Sequence, residues 1–154
     1  MKKILILILF AFTFGAVSAQ DFTAEELEMV QEVFGSEKRE IIAQNINFEG
    51  VNMDAFWKIY DDYEKQRQDL GKERMKLLKQ YTTKQGNMTA LQAEEMLAQA
   101  ADLRASEDKL IMNSTKRIRK MSNPFVAAQF YQIEHYISDG IRFSILNNID
   151  FIQD

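Results

Sequence analysis

The chain has 154 residues, 46% hydrophobic and 27% charged, with 19 lysines and arginines against 23 aspartates and glutamates and no cysteine. A domain of this size buries a modest core, and without cysteine it has neither disulfides nor thiolate metal sites, so stability must come from packing and from association with other chains. The formal net charge of −4 is the wrong sign for a nucleic-acid surface.

Lys2 and Lys3 precede the apolar run Ile4 to Phe14 and the small residues Val17-Ser18-Ala19, the pattern of an export signal over residues 1–19 cleaved before Gln20. Residues 20–154 are then expected to form a single domain in the periplasm. No later apolar run approaches the about 20 residues that a spanning helix needs, so no transmembrane segment is expected in the mature chain. Without Lys2 and Lys3 the balance is 17 basic to 23 acidic residues, a net charge of −6. It is unevenly spread: Gln20 to Glu64 carries 3 basic and 12 acidic residues, Lys65 to Lys120 carries 13 and 7. An acidic arm that neutralises a basic hairpin within the assembly is the simpler reading, and a basic surface kept for a partner is the other.

Thr23-Ala24-Glu25-Glu26 is a capping box that predicts a first helix, which Gly35-Ser36 breaks or bends. Helix resumes over Glu37 to Asn45 with Ile41 and Ile42 turned inward, and Asn45 to Asn52 reads as a loop. Two amphipathic segments of nearly equal length follow, Asp54 to Gln85 and Ala90 to Met121, separated by the breaker Gly86-Asn87-Met88-Thr89. They predict one long antiparallel hairpin. The first arm carries a four-three seam of Phe56, Tyr60, Tyr63, Arg67, Leu70, Arg74, Leu77 and Tyr81, which keeps one face aligned over more than three heptads. Gly71, near its middle, marks a bend, a close helix contact or simply a tolerated surface position.

Thr89-Ala90-Leu91-Gln92 is a second capping box at the start of the return arm, whose inner residues are expected to be Leu97, Ala100, Leu103, Ile111, Ile118 and Met121. Asn123 as N-cap and Pro124 at the first helical position restart the chain in a last helix, Pro124 to about Asn147, with Val126, Phe130, Ile133, Ile137 and Ile141 inward. Ile149, Phe151 and Ile152 form an apolar tail that docks on the body or on a second subunit. The fold class is therefore all-α: an elongated hairpin with flanking helices, four per subunit.

A turn centred near Asn87 sets residues whose numbers sum to about 174 opposite one another. Tyr63 then meets Ile111, Phe56 meets Ile118, and Arg67 meets Glu107 in a partly buried ion pair that fixes register, since either charge alone would cost several kcal/mol. Arg74 falls opposite Ala100 and is left to snorkel or to contact something else.

His135 is the only histidine, and one histidine among scattered carboxylates falls short of the several ligands zinc takes, so no metal or other cofactor is expected unless two copies bring two histidines together. The methionines are dispersed, which suits core filling or an adaptable surface better than copper. No nucleophile elbow, phosphate loop or helical metalloprotease motif is present, so the chain does not read as an enzyme.

Several short motifs occur in a fixed order: Phe56-Trp57-Lys58-Ile59-Tyr60, Leu70-Gly71-Lys72-Glu73-Arg74, Met88-Thr89-Ala90-Leu91-Gln92, Asn123-Pro124 and Phe130-Tyr131-Gln132-Ile133-Glu134. In this order, over roughly Ile41 to Ile141, the chain resembles the Spy and CpxP superfamily of periplasmic helical proteins named for LTxxQ motifs. Methionine stands for leucine in the motif at the turn, and Val51-Asn52 stands where the other copy would have leucine and threonine. The resemblance implies a four-helix subunit whose hairpin pairs with a second copy in a cradle-like homodimer, acting as an ATP-independent chaperone or as an envelope-stress or metal-responsive regulator.

The leading expectation is a dimeric protein that holds partly unfolded clients on the hairpin, with apolar seams for exposed side chains and Arg67, Arg74, Lys76, Lys79, Arg117 and Arg119 attracting acidic segments. The alternative is a regulatory module that binds a membrane-anchored signalling protein of the sensor or anti-sigma kind. A metal buffer is the third reading.

Overall fold

The structure, a computed structural model, describes residues 37–84 and 86–147, which form four helices and no strand. Residues 37–45 are helix α1; α2 is Met53–Lys84, α3 is Ala90–Met121 and α4 is Pro124–Leu146. The all-α architecture is as expected. The export signal at 1–19, the helix start at Thr23, the break at Gly35-Ser36 and the tail from Ile149 lie outside the described residues.

Local chemistry sets the boundaries. The Asn52 side chain accepts from the Ala55 amide at 3.0 Å, which starts α2 one residue earlier than Asp54. Past its C-terminus, Gly86 adopts φ +81° while the Asn87 amide donates to the Lys84 carbonyl at 3.0 Å, a left-handed close that glycine makes without a Cβ clash. The Thr89 hydroxyl accepts from the Gln92 amide and the Gln92 side chain accepts from the Thr89 amide, so both halves of the capping box are made. Asn123 accepts from the Phe125 and Val126 amides at 2.9 and 3.1 Å, with Pro124 at the first helical position of α4.

Helices α2 and α3 are each 32 residues long and pack along each other, so the hairpin spans about 48 Å at 1.5 Å per residue. Helix α4 packs on α3. The core occupies the open end of the hairpin: Ile42 and Ile46 from α1 and its following turn, Phe56, Tyr60 and Tyr63 from α2, Ile111 and Ile118 from α3, and Val126, Ala127 and Phe130 from α4. Phe56 and Tyr63 both meet the Phe130 ring edge to face, which ties α4 to α2 across the hairpin. Towards the turn the α2 seam continues through Arg67, Leu70, Arg74, Leu77 and Tyr81, which are only half-buried.

The α3 row is displaced from its expected line near the turn. Its inner positions run Met96, Leu103, Glu107, Ile111, Ser114 and Ile118, at spacings of seven, four, four, three and four. Leu97 is off this row by one residue, a rotation of about 100°, and is 70% exposed, while Ala100 also faces solvent. In α4 the expected stripe is present, with Val126, Phe130 and Ile137 buried and Ile133 and Ile141 half-buried.

Candidate functional site

Charges that interrupt the apolar rows determine how the arms are locked. On α1, Lys38 precedes Ile42 and Ile46 at four-residue spacing, so its side chain enters the core and is 1% exposed. Its ammonium donates to Glu64 Oε2 of α2 at 2.9 Å and lies 2.7 Å from Glu134 Oε2 of α4. The Tyr63 hydroxyl donates to the same Glu134 oxygen at 2.5 Å, and the Lys38 ammonium sits 4.8 Å from the Tyr63 ring centroid. Arg67 completes the group by donating to both Glu64 oxygens. Two cations and two carboxylates thus balance inside the four-helix end.

The electrostatics follow from this packing. Burial pushes the Glu64 carboxyl up, but the hydrogen bonds from Arg67 and the Lys38 charge outweigh it and hold its pKa below the usual value. Burial also works against the Arg67 charge, and Glu64 more than reverses that. The Tyr63 hydroxyl is pushed well up by burial and by the Glu134 charge it faces, and Tyr60 is raised for the same two reasons.

The expected pair of Arg67 with Glu107 is replaced. Arg67 bonds Glu64 one turn back on its own helix, and Glu107 pairs with Arg74. Side chains on a helix lean towards its N-terminus, so in an antiparallel hairpin an α2 residue leans away from the turn and an α3 residue leans towards it. Arg74 and Glu107 therefore converge although their numbers sum to seven more than the expected register of about 174, and Arg67 and Glu107 diverge. Burial, then the positive charges of Arg142 and Arg67, lower the Arg74 pKa despite this pairing. The second Glu107 oxygen is buried without a hydrogen bond, as are both terminal nitrogens of Arg142, which has Asp139 at 3.5 Å.

Of the six cations expected to meet a partner, Arg67, Arg74 and Arg117 form ion pairs within the chain. Arg67 and Arg74 are half-buried in the pairs above, and Arg117 is held by Asp62 at 2.8 Å. Asp62 and Glu64, both on α2, thus supply counter-charges within the hairpin, and the acidic residues of the arm from Asp21 to Glu32 lie outside the described residues. Lys76, Lys79 and Arg119 have exposed side chains. Lys76 lines an open groove of about 500 Å³ between the two arms near the turn, with Glu73, Leu77, Gln80, Asp102 and Leu103 among its walls. Leu91 and Leu97 stand exposed on α3 in the same outer half, 65% and 70% accessible. The groove itself is of mixed charge, so the basic surface expected there is diluted by Glu73 and Asp102.

His135 is half-buried with its ring 4.3 Å from that of Tyr131. Among the described residues no group of three histidine, aspartate or glutamate side chains is placed to hold a metal ion, and no helix is long and apolar enough to cross a membrane. Lys38, Glu64 and Glu134 are the buried charges that reading the sequence did not single out. The signal was there: each sits in register with an apolar row, as Arg67 and Glu107 do. No protein-family model, curated protein or solved structure matches the chain.

Proposed function

We propose that the chain is a periplasmic, homodimeric binding protein of the Spy and CpxP kind that holds partly unfolded clients, without catalysis or cofactor, on the outer half of its hairpin. The observation that carries this reading is the contrast between the two ends of the molecule. At the open end four helices bury aromatic rings and neutralise their own charges. Near the turn, among the described residues, only α2 and α3 remain, with Leu91 and Leu97 facing solvent and half-buried Leu77 and Leu103 in a groove that also presents Lys76. Such a surface offers weak apolar contacts without a deep pocket, which suits transient capture of many sequences rather than recognition of one small molecule.

A photo-crosslinking side chain at Leu97 should capture an unfolding client such as reduced α-lactalbumin, whereas the same group at Met53, 48% exposed near the open end, should not. Equal capture at the two positions would remove the assignment to the hairpin tip. The chain contains no cysteine, so the reductant acts on the client alone.

A further inference from the structure

Helix α1 is fastened to the molecule at a buried point that acid can undo. It and its following turn bring two apolar side chains to the core, Ile42 and Ile46. With them comes one charge, the Lys38 ammonium, which Glu64 of α2 meets at 2.9 Å and Glu134 of α4 at 2.7 Å. Beneath this ammonium lie the Tyr60 and Tyr63 rings, their centroids 5.8 and 4.8 Å away, and the neighbouring Arg39 guanidinium lies 4.0 Å from the centroid of Trp57. Helix α1 thus roofs a row of three aromatic residues on α2.

Lys38 and Arg67 balance Glu64 and Glu134 only while both carboxyls are ionised. Protonating them leaves two cations without counter-charge, because an ammonium and a guanidinium keep their protons in acid. The two cations differ in their way out. The Arg67 side chain is 17% exposed and can turn to water, whereas that of Lys38 is 1% exposed and reaches water only if α1 moves. An uncompensated buried charge is strongly destabilising, and against it stands the burial of two isoleucines. Helices α2, α3 and α4 stay joined without α1, through Phe130 against Phe56 and Tyr63 and through Ile111, Ile118 and Val126.

We infer that α1 is an acid-released cap: protonation of Glu64 and Glu134 expels Lys38, frees α1 from the bundle and opens a binding surface for apolar side chains along Trp57, Tyr60 and Tyr63. The other charges around α1 do not hold it back. Arg39 pairs with Asp61 of α2 at the exposed rim, where a pair contributes little and is itself lost on protonation. Glu37 and Glu40 of α1 are exposed, and none of these pairs takes a charge from α3. His135, next to Glu134 in the chain, packs on the Tyr131 ring. Burial pushes the Glu64 carboxyl up, but the bonds from Arg67 and the Lys38 charge overcome this and hold it below its ordinary 4.5, so release falls below that pH. Release of α1 is independent of client holding at the hairpin tip, and no client enters its test.

Trp57 is the only tryptophan, and with Arg39 over its ring its emission reports on α1. An acid titration followed by Trp57 emission, anilinonaphthalenesulfonate fluorescence and far-UV circular dichroism tests the cap. Below pH 4.5 the emission should move to the red and the dye signal rise severalfold. Helicity should fall by no more than the share of α1, nine residues against the 87 of α2 to α4. No change in emission, or a change that coincides with loss of the remaining helix, would overturn the inference. Lys38→Met separates cap release from general weakening in acid. Without the ammonium it is the Glu134 carboxylate that lacks a cation at neutral pH and is relieved by protonation, so the emission of this variant should be redder at neutral pH and move to the blue in acid. A variant that follows the parent would overturn the cap. If Lys38→Met does not fold at neutral pH, Lys38→Met/Glu134→Gln removes both charges and should keep its neutral-pH emission until helix is lost; a red shift before that point would overturn the cap as well.

Discussion

The Lys38 ammonium lies 2.7 Å from Glu134 Oε2, joining α1 to α4 through a pair with side chains 1% and 0% exposed. Glu64 of α2 shares the same ammonium, so one lysine holds three helices. Removing it would leave the buried Glu134 carboxylate with the Tyr63 hydroxyl and no cation, while Glu64 keeps its bonds from Arg67. Lys38→Met is expected to lower stability by about 3–5 kcal/mol in urea unfolding, the range for one partner taken from a buried pair. Lys38→Met combined with Glu134→Gln should recover part of that loss.

Stability should fall in acid. The folded Glu64 pKa lies below its ordinary 4.5, so the stabilisation from its pairing is fully present above about that pH and drains away as pH drops through the lower folded value. A thermal melt series from neutral to strongly acid pH should show the midpoint falling in this window, and Glu64→Gln, already less stable at neutral pH, should show a shallower fall.

At high pH the sign reverses. Tyr63 and Tyr60 have folded pKa values above the ordinary 10.0, so their contribution is present below that pH and is lost as pH rises towards the folded values. Ultraviolet titration should find that two of the five tyrosines stay un-ionised past pH 10 until the chain unfolds. Five tyrosines ionising together near pH 10 in the folded protein would contradict the buried Tyr63 and Glu134 bond.

A double-mutant cycle separates the two arginines of the seam. Arg74→Ala and Glu107→Ala should couple by about 0.5–3 kcal/mol, whereas Arg67→Ala and Glu107→Ala should be additive within about 0.5 kcal/mol. Arg67→Ala should instead couple to Glu64→Ala.

Adjacent positions on α3 should behave in opposite ways. Met96 is 7% exposed and Leu97 is 70% exposed, so Met96→Ala is expected to cost about 2 kcal/mol or more and Leu97→Ala no more than about 0.5 kcal/mol. Denaturant midpoints of the two variants check this directly.

The elements that were legible from the sequence are those written locally. Thr89 with Gln92, and Asn123 with Pro124, mark helix starts because a cap needs only an oxygen and an amide two or three residues on. The apolar row from Phe56 to Tyr63 likewise shows its burial in its spacing. What escaped depends on three-dimensional direction. Arg74 reaches Glu107 only because side chains on antiparallel helices lean in opposite senses, and Lys38 finds Glu134 only once α1 and α4 are folded against the same end of the hairpin. The displacement from Leu97 to Met96 is a phase error of one residue, which a 3.6-residue period tolerates poorly over nine turns.

The most direct test of the client-holding account is light scattering from reduced α-lactalbumin at low salt with stoichiometric chain present. The account predicts that aggregation is suppressed by the parent, and more weakly by a Leu91→Glu/Leu97→Glu variant that keeps its fold. Aggregation unchanged by the parent would contradict it.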